Sequence, residues 1–91
     1  MGKEPLVLHS MGVERTGYPL KLSGKFGSDD TTLAPIQRMA TRGLLACMHE
    51  VYVDCPYYEQ LMYVADTRVQ MLINHVVSRD DRLARRAIEL F

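Results

Sequence analysis

Pro56 divides this sequence. Proline has no N–H to give a helix interior, and it pushes the residue before it out of the α region. A helix arriving from the N-terminal side must stop by Cys55, which makes Tyr52 to Tyr58 a loop and leaves separate helical segments on either side. Upstream, apolar residues recur as Leu33, Ile36, Ala40, Leu44, Cys47 and Val51, in steps of three or four that keep one stripe toward a core. Downstream, Leu61, Ala65, Val69, Leu72 and Val76 form a second stripe.

The ends of these segments follow from capping chemistry. Ser28-Asp29-Asp30-Thr31-Thr32 supplies several N-caps, and Pro35 is tolerated only within a first turn, so the first helix is expected to start near Thr31 or Thr32. Gly43 lies inside it at a cost of about 1 kcal/mol relative to alanine, which suggests a close neighbour. Ser78-Arg79-Asp80-Asp81 fits a capping box, the Ser78 hydroxyl meeting the Asp81 N–H and the Asp81 carboxylate the Ser78 N–H. The pattern predicts helices over about Thr32–Val51, Leu61–Val77 and Arg79–Leu90. Leu83, Ala87, Ile88 and Phe91 form the apolar face of the third, which reaches Phe91 without a stop signal and so reads as cut within a longer helix.

Residues 1–28 are different. Gly2, Gly12, Gly17, Gly24 and Gly27 bound short apolar runs such as Leu6-Val7-Leu8 and the alternating Tyr18-Pro19-Leu20-Lys21-Leu22, which read as extended strands and turns. The fold class expected is mainly α: three helices after a short extended segment. At 91 residues the chain is one small domain or a piece of one.

Composition narrows the partners. Eleven basic and eleven acidic residues leave no net charge, so nucleic acid and anionic lipid are not expected as partners. No apolar run approaches the roughly 18 residues that span a bilayer, and no basic stretch, apolar stretch and small-residue cleavage site stand in order at the N-terminus. Cys47 and Cys55 are too few for a disulfide framework and read as reduced, partly buried residues. Cys47, His49 and Cys55, with His75 or His9, lack the paired spacing of structural zinc sites. No metal or cofactor is expected, and His49 reads as a cation near the end of the first helix.

Three carboxylates, Asp54, Glu59 and Asp66, gather around the loop and the start of the second helix. Glu59 and Asp66 share a face if both are helical, and Asp54 can fold back toward them. Tyr57, Tyr58, Leu61, Met62, Tyr63 and Val64 give them an aromatic and aliphatic surround. Acids near a helix N-terminus also occur simply because they complement its dipole, and aromatic residues at helical spacing are often core. The functional alternative is glycosidic cleavage. A general acid must stay protonated near neutral pH, and both apolar desolvation and neighbouring negative charge raise a carboxyl pKa. Glu59 has the most apolar sequence neighbours. Ionised Asp54 and Asp66 would then hydrogen-bond sugar hydroxyls, with tyrosines packed on the ring faces.

Residues 54–68, DCPYYEQLMYVADTR, resemble the general-acid motif of the bacterial α-L-rhamnosidases, six-hairpin (α/α) barrel enzymes. That motif opens on Asp-Cys-Pro and continues with the catalytic Glu five residues after the Asp, an aromatic nine after and a second Asp twelve after. Here those positions are Asp54, Glu59, Tyr63 and Asp66. The family usually has Arg just before the catalytic Glu and Trp at the aromatic position, where this chain has Tyr58 and Tyr63. Thr16 to Leu20, Phe26 and Ser28-Asp29-Asp30 look like the family's link from a β-sandwich into the first barrel helix.

The resemblance implies that residues 1–28 are a linker or the end of a β-sandwich, and that residues 29–91 are the first helices of a truncated (α/α) six-hairpin barrel. It implies an inverting glycoside hydrolase acting on a rhamnoside or related carbohydrate, with Glu59 as general acid and Asp54, Asp66, Tyr58 and Tyr63 as sugar-binding residues. Inversion needs a second carboxylate about 6.5 to 9.5 Å from the acid. In the family that base lies far downstream, so the 91 residues alone are expected to be inactive. The competing reading is a small helical module that self-associates through its apolar faces.

Overall fold

The computed structural model describes residues 5–91, which places Gly2 outside the described residues. The elements are α1 (Leu33–Ala46), α2 (Val64–Val77) and α3 (Arg82–Leu90) in chain order. Among the described residues no strand forms; the nearest approach is an isolated antiparallel bridge between Met48 and Tyr52. The protein is therefore mainly α, as expected, with every helix boundary moved inward except the ends of α2 at Val77 and α3 at Leu90.

α1 starts at Leu33, after an Asp30 turn in which the Asp30 carboxylate accepts from the Thr32 N–H (2.8 Å) and hydroxyl (2.7 Å). It ends at Ala46 rather than Val51. The Cys47 N–H is shared between the Gly43 (3.2 Å) and Leu44 (3.0 Å) carbonyls, which tightens the last turn. Beyond it, Val51, Tyr52 and Val53 are β-branched or aromatic residues that favour an open backbone, and the chain folds back so that the Val53 N–H donates to the Cys47 carbonyl (2.9 Å). Only the end of the expected stripe is covered: Leu44 and Cys47 are buried, whereas Leu33, Ile36 and Ala40 are exposed.

α2 departs most from expectation. It starts at Val64, because Leu61 is already paired through both its N–H and its carbonyl with Asp54. Its expected core stripe, Leu61, Ala65, Val69, Leu72 and Val76, is exposed along its whole length. The face turned inward is Thr67, Gln70, Asn74 and Val77. The neighbouring loops explain the inversion, since they present a tyrosine hydroxyl and backbone carbonyls that need donors. Asn74 Nδ2 donates to the Tyr52 hydroxyl (3.0 Å) and the Asp80 carbonyl (2.8 Å), and Gln70 Nε2 to the Val53 carbonyl (2.7 Å).

α3 starts at Arg82, and the expected capping box does not form. The Ser78 hydroxyl donates to the Lys21 carbonyl (2.9 Å) and accepts from the Asp80 N–H (3.1 Å), while the Asp81 carboxylate pairs with Arg85 one turn on (2.7 Å). Leu83, Ala84 and Ala87 are buried; Ile88 and Phe91, expected on the same face, are exposed.

The segment expected as strands is a strap. Tyr18 N–H donates to the Met48 carbonyl, and Ser23 and Gly24 N–H both donate to the Val77 carbonyl, each at 2.9 Å. The alternation read from the sequence survives in part, Tyr18 and Leu20 being half-buried while Pro19 and Lys21 are exposed. The close approach expected at Gly43 occurs here instead. A Cβ on Gly24 would meet the Val76 carbonyl and the Val77 Cα (2.8 Å), whereas one on Gly43 would meet nothing within 4 Å.

These pieces meet around one small core of Leu44, Met48, Tyr52, Val77, Leu83, Ala84 and Ala87, flanked by Tyr18, Leu20, Met62, Met71 and Ile73. The radius of gyration, 18.4 Å, is well above the ~12 Å of a compact chain of this length.

Two predictions follow from this packing. Burial pushes the Tyr52 pKa up to about 12, only partly offset by the Asn74 hydrogen bond. Above pH 10 the unfolded chain gives up this proton while the folded chain keeps it, so stability should fall between pH 10 and about 12 by about 2 to 3 kcal/mol from this residue. Tyr52→Phe should flatten the denaturation midpoint across that window by a matching amount; parallel curves would refute the assignment. Separately, Gly24→Ala should cost about 1 to 3 kcal/mol, and Gly43→Ala should add about 0.5 to 1 kcal/mol, both read from urea midpoints.

Candidate active site

The loop between the turn after α1 and α2 is closed by one residue pair. Asp54 N–H donates to the Leu61 carbonyl (2.8 Å), and Leu61 N–H donates to Asp54 Oδ1 (2.9 Å). The residues between them, 55–60, form a closed excursion. Gln60 has a left-handed φ of 56°, a conformation that costs a non-glycine residue about 1 to 3 kcal/mol. Its own side chain helps to hold it there: Nε2 donates to the Pro56 carbonyl (3.0 Å), with the Tyr57 carbonyl at 3.4 Å. The Glu59 N–H donates to Cys55 Sγ (3.3 Å), so the backbone of the acid is also pinned from inside the loop.

Asp54 is half-buried. Burial pushes its pKa up, but the hydrogen bonds from the Leu61 N–H and from Cys55 outweigh that effect and leave the carboxyl below its ordinary range. It is an anion at neutral pH. Cys47, behind the loop, is buried, and burial raises its thiol pKa, with Cys55 and Asp54 adding to the shift. Both cysteines are free.

Glu59 stands exposed on the loop, as do Tyr57 and Tyr58, whose rings meet edge to face at 5.0 Å and 83°. The apolar enclosure expected around Glu59 is not built by the described residues: Leu61 and Val64 are exposed and only Met62 is half-buried. Glu59 and Asp66 do not share a helical face either, because α2 begins after Glu59. Asp66 is exposed in the first turn of α2, where a negative charge is favoured by the helix dipole.

The three acids nevertheless act on a common group. The pKa of the Tyr63 hydroxyl is raised first by the Glu59 carboxylate as hydrogen-bond acceptor and as charge, then by burial, then by the charges of Asp54 and Asp66. All three carboxylates thus bear on the Tyr63 hydroxyl, Glu59 most strongly. Tyr58 lies at the loop's outer edge, 85% exposed.

The residues that sequence reasoning missed are Gln70, whose amide fastens the Val53 carbonyl at the base of this loop, and Asn74, whose amide holds the Tyr52 hydroxyl. A signal for them exists in the sequence: Thr67, Gln70 and Asn74 recur in steps of three and four, a polar stripe opposite the apolar one. The left-handed Gln60 had none.

Comparison with protein families matches residues 21–90 to the bacterial alpha-L-rhamnosidase 6 hairpin glycosidase domain. The chain belongs to that family. The match runs from the strap through all three helices and includes the whole acid loop. Comparison with curated proteins and with solved structures returned no match. Within the family frame, the three helices belong to the six-hairpin domain, and the motif resemblance falls on a loop whose shape is set by its first acid.

Asp54→Ala removes the acceptor that Leu61 uses. The Leu61 amide should then exchange with solvent at least tenfold faster, while amides in α3 keep their protection. Unchanged Leu61 exchange would mean that the loop is closed by something other than Asp54.

Proposed function

We propose that this chain supplies the general-acid side of the active site of an inverting glycoside hydrolase acting on a rhamnoside or related sugar. Glu59 donates the proton to the glycosidic oxygen as the bond from that oxygen to the anomeric carbon breaks. Asp54 and Asp66 accept hydrogen bonds from sugar hydroxyls and balance oxocarbenium charge, and Tyr58 and Tyr63 contact the ring. Water adds from the opposite face and gives its proton to a second carboxylate from elsewhere in the enzyme. In this reading residues 29–91 are the first helices of the six-hairpin barrel, residues 1–28 lead into it, and the 91 residues by themselves do not turn over substrate.

The observation that carries the reading is the division of labour within the loop. Asp54 is tied into the backbone and held ionised, while Glu59 is pinned by its backbone and projects from an exposed turn beside the Tyr63 hydroxyl. An ionised, hydrogen-bonded carboxylate is suited to holding hydroxyls, and a projecting one to reaching a leaving group. Self-association through exposed helix faces is a second reading, favoured by an apolar groove of about 310 Å³ lined by Val64, Met71, Leu72, Ile88 and Phe91 among others. A covering by further helices of the same enzyme would use that groove equally well.

The test is the dependence on leaving group in the complete enzyme. Glu59→Gln keeps shape and removes the proton, a loss that typically lowers rate by about 10²- to 10⁴-fold. A natural glycoside with a poor alcohol leaving group should lose most of its turnover, and a nitrophenyl glycoside, which departs with less help, should lose less. Asp54→Asn and Asp66→Asn should weaken both substrates alike. Equal damage by Glu59→Gln on both substrates would move the acid role to another carboxylate.

A further inference from the structure

The inward face of α2 is polar although the helix has apolar residues to spare. Thr67, Gln70 and Asn74 are 2%, 9% and 0% exposed, while Val69, Leu72 and Val76 face solvent. Each of the three buried side chains also carries an oxygen without a hydrogen-bond partner among the described residues: Thr67 Oγ1, Gln70 Oε1 and Asn74 Oδ1. Burying such atoms opposes folding, so packing does not account for the choice of residues. What an amide supplies and a leucine cannot is a donor. Gln70 Nε2 spends its donor at 2.7 Å on the carbonyl of Val53, the residue before Asp54. From there the links are short: Asp54 pairs twice with Leu61, and the loop between them holds Glu59.

We infer that Gln70 is a positioning residue for the acid loop, its bond to the Val53 carbonyl setting where Asp54 sits against α2 and so where Glu59 is presented. This rests on the reading of Glu59 as proton donor. Gln70 itself touches neither sugar nor the reacting oxygen. Asn74, one turn on, reaches Tyr52 and Asp80 instead and joins the framework rather than the loop.

Gln70→Met and Gln70→Leu keep most of the volume and remove the donor. Each also removes the orphaned Oε1 while orphaning the Val53 carbonyl, so overall stability should change little. Both variants are made, so that one that folds is enough. In the 91-residue chain, exchange at the Asp54 and Leu61 amides should quicken by about tenfold or more while the Ala87 amide in α3 is unaffected. In the complete enzyme, kcat should fall by about 10- to 100-fold with KM nearly constant, as a small misplacement of a reacting group produces. The poor-leaving-group substrate should suffer more than the nitrophenyl one. Unchanged exchange at both loop amides in a folded variant overturns the inference, and so does a loss equal on both substrates when Glu59→Gln distinguishes them. If Glu59→Gln fails to distinguish them while the loop amides do loosen, the reading of Glu59 has failed, and the catalytic role of Gln70 falls with it.

Discussion

The Asn74 side chain is the joint on which the three helices depend. It sits on α2, fully buried, and its amide donates to the Tyr52 hydroxyl after α1 and to the Asp80 carbonyl before α3. A buried tyrosine needs a partner for its hydroxyl, and a turn entering a helix needs one for its carbonyls; one amide serves both. Asp80 extends the joint outward, accepting from the Tyr18 hydroxyl and from Arg82 through both carboxylate oxygens, with the guanidinium also lying over the Tyr18 ring at 5.5 Å. The Asp80 carboxyl is held well below its ordinary range, first by the Arg82 hydrogen bond. The strap is thereby fastened to the same place as the helices.

A polar joint at the centre has a consequence at the surface. With Thr67, Gln70 and Asn74 inside, Val64, Val69, Leu72 and Val76 of α2 are exposed, and Val64 and Leu72 meet Ile88 and Phe91 across the apolar groove. Helices of 14, 14 and 9 residues gain most of their stability from packing. On α2 the two faces therefore differ in chemistry: the buried one is polar except for Val77, and the open one carries Val64, Val69, Leu72 and Val76. Contiguous exposed apolar surface of this kind is characteristic of interaction sites.

Much of the fold was legible in the sequence, for reasons that can be stated residue by residue. Pro56 lies between the helices as expected, although α1 ends earlier at Ala46; the ends of α2 and α3 fall at Val77 and Leu90, and three helices form where apolar residues recur. Periodicity failed at the faces because it scores only apolar residues. On α2 the polar stripe was as regular as the apolar one, and the choice between them was made by carbonyls in distant loops, which no local pattern records. It failed at the boundaries because tertiary hydrogen bonds claimed the end residues. Leu61 was taken by Asp54, and Ser78 by Lys21, 57 positions away. The site was legible to the level of its string. The spacing of Asp54, Glu59, Tyr63 and Asp66 identified the family, but the aromatic and aliphatic surround expected of Glu59 from its sequence neighbours is exposed, since a loop closed at Asp54 and Leu61 turns those neighbours outward.

That closure bears on how one short segment can carry two kinds of acid. A carboxylate that accepts a backbone N–H is stabilised as the anion, and Asp54 shows the direction of that effect despite the opposing influence of burial. The same bond closes the loop, so the residue that is held ionised also fixes the segment that carries Glu59. Glu59 is located through its backbone, by Cys55 and by the turn at Gln60. A loop built in this way fixes the backbone of Glu59 and leaves its side chain exposed.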